Sequence, residues 1–117
     1  MYVESFKNLI VWQRAMELAK EVYRVTAGLP KAEIYGLISQ MRRAAVAIPS
    51  NIAEGKKRRT VNDFLQFLRI ADGSAAELET QVLLARSLYP SLDFLHVEAL
   101  LLETQKMLAV MIKNLKL

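Results

Sequence analysis

Between Phe64 and Tyr89, eight apolar or aromatic residues follow one another at alternating steps of four and three: Phe64, Leu68, Ala71, Ala75, Leu78, Val82, Ala85 and Tyr89. Such steps keep all of them on one side of an α-helix. A strand, whose side chains alternate between two faces, would scatter them. The same steps link Ile34, Ile38, Met41, Ala45, Ile48 and Ile52, and again Val97, Leu101, Thr104, Leu108, Met111 and Leu115. A looser face near the start joins Trp12, Ala15, Met16, Ala19, Val22 and Tyr23. Helices that turn such seams inward cover one another.

The residues that stop and start helices fall between the seams. They are Gly28 and Pro30 in "TAGLPKAE", Gly55 as a stop and Thr60 as an N-cap in "EGKKRRT", and Pro90 with Ser91 as a cap in "YPSLD". Asp63, three residues after Thr60, makes an imperfect capping box. These signals predict helices over 7–27, 32–55, 60–89 and 92–115. Short connections favour antiparallel neighbours. The predicted fold is therefore all-α, one domain over 1–117, an antiparallel up-down-up-down four-helix bundle. Its third helix would be about 45 Å long at about 1.5 Å per residue. Pro49 removes one helical hydrogen bond, yet the seam continues from Ile48 to Ile52. The pattern predicts a second helix kinked near Pro49, against a competing reading of two short helices meeting at "PSN". Gly73 lies mid-helix, where glycine costs about 1 kcal/mol against alanine. That predicts a close helix crossing at "ADGSAAELE".

Composition removes several classes. More than half of the residues are apolar, with only four glycines and three prolines, which excludes a disordered chain. There is no cysteine, so disulfide frameworks and thiolate metal sites are excluded. "MYVESFKNLIVWQRAMELAK" lacks the layout of a secretory leader, and no stretch approaches the roughly 18 uncharged apolar residues of a membrane span. A soluble cytoplasmic protein is expected. The single histidine, His96, belongs to no Glu-x-x-His pair and reads as an ordinary helix residue. No serine is framed as a nucleophile, and Gly55 and Gly73 form no phosphate-cradling loop. Glu77 and Glu79 point to different helix faces, and Glu54 is placed to pair with Arg58 at i+4. Neither catalysis nor a metal or cofactor site is expected.

The charge is concentrated. Arg42 to Arg59 holds six basic residues and one acid, Glu54, a net +5, whereas the whole chain carries +4. Arg42 and Lys56, like Arg43 and Lys57, are fourteen residues apart. On a continuous helix that is close to four turns, about 21 Å along one face. With Arg58 and Arg59 beyond, this makes a basic strip suited to phosphates, and arginine pairs with phosphate bidentately. The candidate nucleic-acid-binding residues are therefore Arg42, Arg43, Lys56, Lys57, Arg58 and Arg59. Two structural readings compete. Arg42 or Arg43 pairs with Glu77 or Glu79 of the third helix, or the basic turn serves only the helix dipole and solubility. No aromatic is interleaved with the basic run, so no platform for base stacking is evident.

The segments "FKNLIVWQRA", "YRVTAGLPKAEIYGLISQMRRAAVAIPSNIAEG" and "FLQFLRIADGSAAELETQ" resemble the bacterial four-helix bundle proteins encoded within intervening sequences of large-subunit (23S) ribosomal RNA genes. The most specific part is "GLISQMRRAAVAIPSNIAEG", with Gly73-Ser74 and Glu77-Leu78-Glu79 after it. These are similar in turn to the accessory proteins of diversity-generating retroelements, which form five-membered rings with basic surfaces. The resemblance implies a homopentamer and a nucleic-acid partner, RNA above all, and no catalysis. Two positions depart from it. Ala47 stands where the family often has serine, and Lys56-Lys57 where an apolar or small residue and then glycine are common.

Helices three and four hold more apolar residues than their seams need: Leu65, Phe67, Ile70, Leu83, Leu84, Leu88, Leu100 and Leu102. Either the core is wide or subunits meet there. The sequence thus predicts a non-enzymatic homo-oligomer that binds RNA electrostatically. The alternative is an assembly module that docks a protein partner through apolar surface.

Overall fold

A computed structural model of the chain describes residues 5–115. It contains four helices, α1 (Ile10–Thr26), α2 (Leu37–Lys56), α3 (Val61–Leu88) and α4 (Leu95–Leu115). Short 3-10 turns stand at Phe6–Asn8 and Lys31–Glu33. Helices α1 and α3 each pack on α2 and on α4, so four neighbouring pairs close an all-α bundle. Its extents are 50 × 20 × 20 Å. Arg14 of α1 bonds Glu103 of α4, and Glu21 further along α1 meets His96 near the start of α4. Glu79 of α3 meets Gln105, and Arg86 meets Glu98. Rising numbers on one helix thus meet falling numbers on the next, the pairing order of helices that run in opposite directions.

The seams form the core. Met41, Ala45, Ile48 and Ile52 of α2 face Leu68, Ala71, Ala75, Leu78, Val82 and Ala85 of α3, all fully or almost fully buried. Val97, Leu101, Thr104 and Leu108 complete it from α4. The face of α1 is rotated from the expected one. Val11, Ala15, Leu18, Val22 and Val25 are buried, while Trp12 and Met16 are half-buried and Tyr23 is about half exposed. Of the apolar surplus, Leu65 and Leu100 belong to the interior, whereas Ile70, Leu83, Leu84, Leu88 and Leu102 are exposed.

Helix α2 runs unbroken through Pro49, which removes the reading of two short helices. It starts later than expected because the side chain of Glu33 accepts the N–H of Leu37 at 3.2 Å and restarts the chain after Gly36. Thr60 caps α3 as expected, its hydroxyl accepting the N–H of Asp63 at 3.1 Å. For α4 the oxygen that meets the first turn belongs to Asp93, which accepts the N–H of Leu95 at 2.9 Å, and not to Ser91.

Gly55 ends α2 within one residue of the expected boundary, but it also takes the close approach expected of Gly73. Gly73 is exposed, and a Cβ built there would meet nothing within 4 Å, so no close crossing exists at that point. Gly55 is buried inside the last turn of α2, and a Cβ there would stand 2.6 Å from Phe67 Cβ and 3.0 Å from Phe64 Cδ1. The close approach is therefore at the α2–α3 hairpin, below the basic turn. Contact between α2 and α3 is the most extensive in the bundle, and small buried residues (Ala44, Ala45, Ala71, Ser74, Ala75) line it.

Candidate nucleic-acid interface

The six candidate cations separate into tied and free ones. Arg42 is tied. Its Nε donates to Thr26 Oγ1 at 3.0 Å and its Nη2 to the carbonyl of Tyr23 at 3.2 Å. Its guanidinium also lies 4.4 Å from the centre of the Tyr23 ring. Tyr23 and Thr26 belong to the last turn of α1, where a cation is favoured; the Tyr23 carbonyl that Arg42 meets also accepts the N–H of Ala27 at 3.3 Å. Arg42 is thus a clamp between α2 and α1, and its partners are neither Glu77 nor Glu79. Arg43, one residue on, is exposed and makes no ion pair among the described residues.

The turn behaves differently. Residues 57–60 join α2 to α3, and Lys57, Arg58, Arg59 and Thr60 are all exposed. Arg58 Nη2 pairs with Glu54 Oε2 at 2.7 Å, the expected i+4 pair, with both side chains about half exposed. Such a pair contributes at most about 1 kcal/mol and yields easily to a stronger anion. Lys57 and Arg59 have no acidic partner among the described residues. Aromatics do reach the basic run, from α3. Lys56 Nζ lies 5.8 Å from the Phe64 ring centre and Arg58 lies 4.8 Å from that of Phe67. These half-buried rings support the cations from beneath. The strip expected along one face is therefore divided. Arg42 turns to α1, Lys56 turns to α3 and Arg58 pairs with Glu54, which leaves Arg43 on α2 and Lys57 and Arg59 at the turn without acidic partners among the described residues.

The helix dipole accounts for only part of this charge. Lys56 and Lys57 stand at the C-terminal, negative end of α2. Arg59 immediately precedes Thr60, the N-cap of α3, where the dipole end is positive and disfavours a cation.

Two further polar clusters were not evident from the sequence. Glu21 is buried, and its carboxylate takes hydrogen bonds from Arg24 and, at 2.7 Å, meets His96 Nδ1. Arg24 first, then His96, hold the Glu21 carboxyl below the usual carboxylate range against the opposing effect of burial. Glu33 accepts the hydroxyl of Tyr89 at 2.5 Å as well as the Leu37 N–H, which lowers its pKa and raises that of Tyr89. Both clusters pin a chain connection. The first joins the end of α1 to the start of α4, and the second holds the α1–α2 loop to the end of α3. The available signal for the first was Glu21 itself, an acid three residues from Leu18 on the buried stripe of α1.

No helix among the described residues is long and apolar enough to cross a membrane. A comparison with curated proteins finds no match. The family model described as "23S rRNA-intervening sequence protein" matches residues 7–110, all four helices except the last residues of α4. With the four-helix bundle, that match assigns the chain to the 23S rRNA-intervening sequence protein family.

Proposed function

We propose that this protein is a non-enzymatic RNA-binding bundle that meets the phosphate backbone at the α2–α3 turn. The carrying observation is the turn itself. It holds consecutive exposed cations, two of them without acidic partners among the described residues, on a hairpin held close by Gly55. Helix-dipole stabilisation does not explain Arg59. The family description names 23S rRNA intervening sequences, which is in keeping with an RNA partner. Lys56, Lys57, Arg58 and Arg59 are the contacts in this reading, with Arg43 a further cation on α2. Arg42 has a structural role.

The same reading includes a homo-oligomer. Leu83, Leu84, Leu88, Leu95 and Leu102 are each about half exposed or more on α3 and α4, a supply of apolar surface that subunit contact would cover. The resemblance favours five subunits. Light scattering at micromolar concentration tests this. A mass near 13.3 kDa, that of one chain, overturns the oligomer, and a dimer overturns only the pentamer.

A second reading is favoured by a specific observation. Apolar grooves flank α1 on both sides, one with Leu9, Ile10, Met107 and Val110, the other with Trp12, Met16, Tyr23 and Val46. An assembly module would dock a partner there. The two readings separate by salt. Phosphate binding weakens steeply between about 50 and 200 mM, whereas apolar docking hardly responds. Titration of single-stranded RNA into the purified protein across that range is expected to show the steep loss. No salt-sensitive binding would leave the assembly module in its place.

A further inference from the structure

We propose that two opposite sides of the bundle bind each other head to tail, the α3–α4 face of one copy seated in the α1–α2 groove of the next, an inference that rests on the homo-oligomer reading above. The groove has a volume of about 460 Å³. Trp12, Met16, Ala19, Val46, Pro49 and Ala53 give it an apolar floor, and Lys20 stands at its edge. It continues past Tyr23 and Val46 to Arg42 and Arg43. No acidic residue lines either part. Lys20 and Arg43 are exposed, and neither makes an ion pair among the described residues. The α3–α4 side has the reverse chemistry. Leu83 and Leu102 are each about half exposed there, and they share a recess of about 210 Å³ with Glu79 and Glu98 and with no cation in its lining. Glu98 pairs with Arg86, whereas Glu79 accepts only the amide of Gln105. Leu95, seven residues before Leu102 and so on the same side of α4, is more exposed still.

The match needs a second copy. Helices α1 and α3 each pack on α2 and on α4, so the α1–α2 side lies across the core from the α3–α4 side, and neither can cover the other within one chain. Both patches are apolar at the centre, but one is rimmed by cations and the other by carboxylates. A two-fold contact would set each patch against itself and bring like charges together. Unlike patches meet head to tail, and repetition of that contact closes a ring or runs on as a filament. The apolar residues supply the burial, and the charges fix which side meets which. One side of the bundle measures 50 × 20 Å, room for the roughly 800 Å² that each partner buries in a standard interface. The α2–α3 turn lines neither patch, so the contact leaves its cations open.

Two double variants test this by light scattering of the full chain. Lys20→Glu with Val46→Glu blocks the groove, and Leu83→Lys with Leu102→Lys blocks the face. All four positions are exposed, so each variant should keep its helical circular dichroism and its cooperative melting. Should one fail to fold, Arg43→Glu takes the place of the first and Glu79→Lys that of the second, again at exposed positions. The wild type is expected above the 13.3 kDa of one chain, and each variant alone at that mass. An equal mixture of the two should give a dimer and nothing larger. The intact face of one variant fits the intact groove of the other, and no further contact is left. A variant that keeps the wild-type mass, a variant that dimerises with itself, or a mixture that stays monomeric overturns the pairing while the oligomer stands. A monomeric wild type overturns the oligomer, and the pairing with it.

Discussion

Arg42 and Arg59 carry the same charge on the same stretch of chain, yet their surroundings give them opposite roles. Arg42 lies beside the end of α1, where the Tyr23 carbonyl, a threonine hydroxyl and a tyrosine ring hold its guanidinium. Arg59 lies beyond the end of α2, next to the positive end of α3, with nothing acidic paired to it among the described residues. A cation that the fold satisfies is part of the scaffold. A cation that the fold leaves unsatisfied, at a small cost, is available for a partner. The lesson is that a run of basic residues has to be divided by what each side chain touches before it is read as one surface.

The scaffold is most sensitive at the hairpin. Gly55→Leu should be the most destabilising change, by about 1–3 kcal/mol or more, because the new side chain collides with Phe67 and Phe64. An unchanged thermal midpoint would show that the hairpin is looser than described. Next in size, Arg42→Gln should cost about 1–3 kcal/mol through lost charged hydrogen bonds, whereas Arg43→Gln should leave stability within about 0.5 kcal/mol. Equal effects of the two in chemical denaturation would remove the distinction between tied and free cations. Gly73→Ala should stabilise by up to about 1 kcal/mol, since the site is open and helical. A loss instead would mean that a second copy of the chain packs over Gly73.

The smallest effect concerns acid. Glu21 has a folded pKa below its unfolded one, so its stabilisation is fully present above the ordinary carboxylate range. It is lost as pH falls through that range to the folded value. Glu21→Gln should flatten the acid limb of the stability profile. A profile that keeps its full acid slope would assign that slope to other carboxylates, Glu33 first.

Periodicity carried the fold. Ile48, Ile52, Leu68 and Leu78 were placed in the core by spacing alone, because burial of one helix stripe is what the spacing encodes. Helix starts were harder. Ile34 continues the second seam by number, but the Glu33 side chain competes for the Leu37 N–H and the helix begins later. A glycine's neighbours across the bundle decide its role: Gly55 stands at the end of α2 as its position implies but is also a contact point, while Gly73 faces open space. The Arg42 clamp and the Glu21–His96 pair join residues far apart in the chain, and no local pattern foretells which helix end a side chain will meet. The basic turn itself was legible, since it depends on composition and a helix boundary, both local.

The most direct measurement is the salt dependence of RNA binding after Lys56, Lys57, Arg58 and Arg59 are all replaced by glutamine. The core is untouched and the turn keeps its polarity, so the fold should survive with a loss of at most about 1 kcal/mol per charge. RNA binding should weaken, and the slope of log K against log salt should flatten by roughly 0.7 for each lost single-strand contact. A wild-type protein that binds RNA, beside a quadruple variant that keeps both its affinity and its slope, would contradict it.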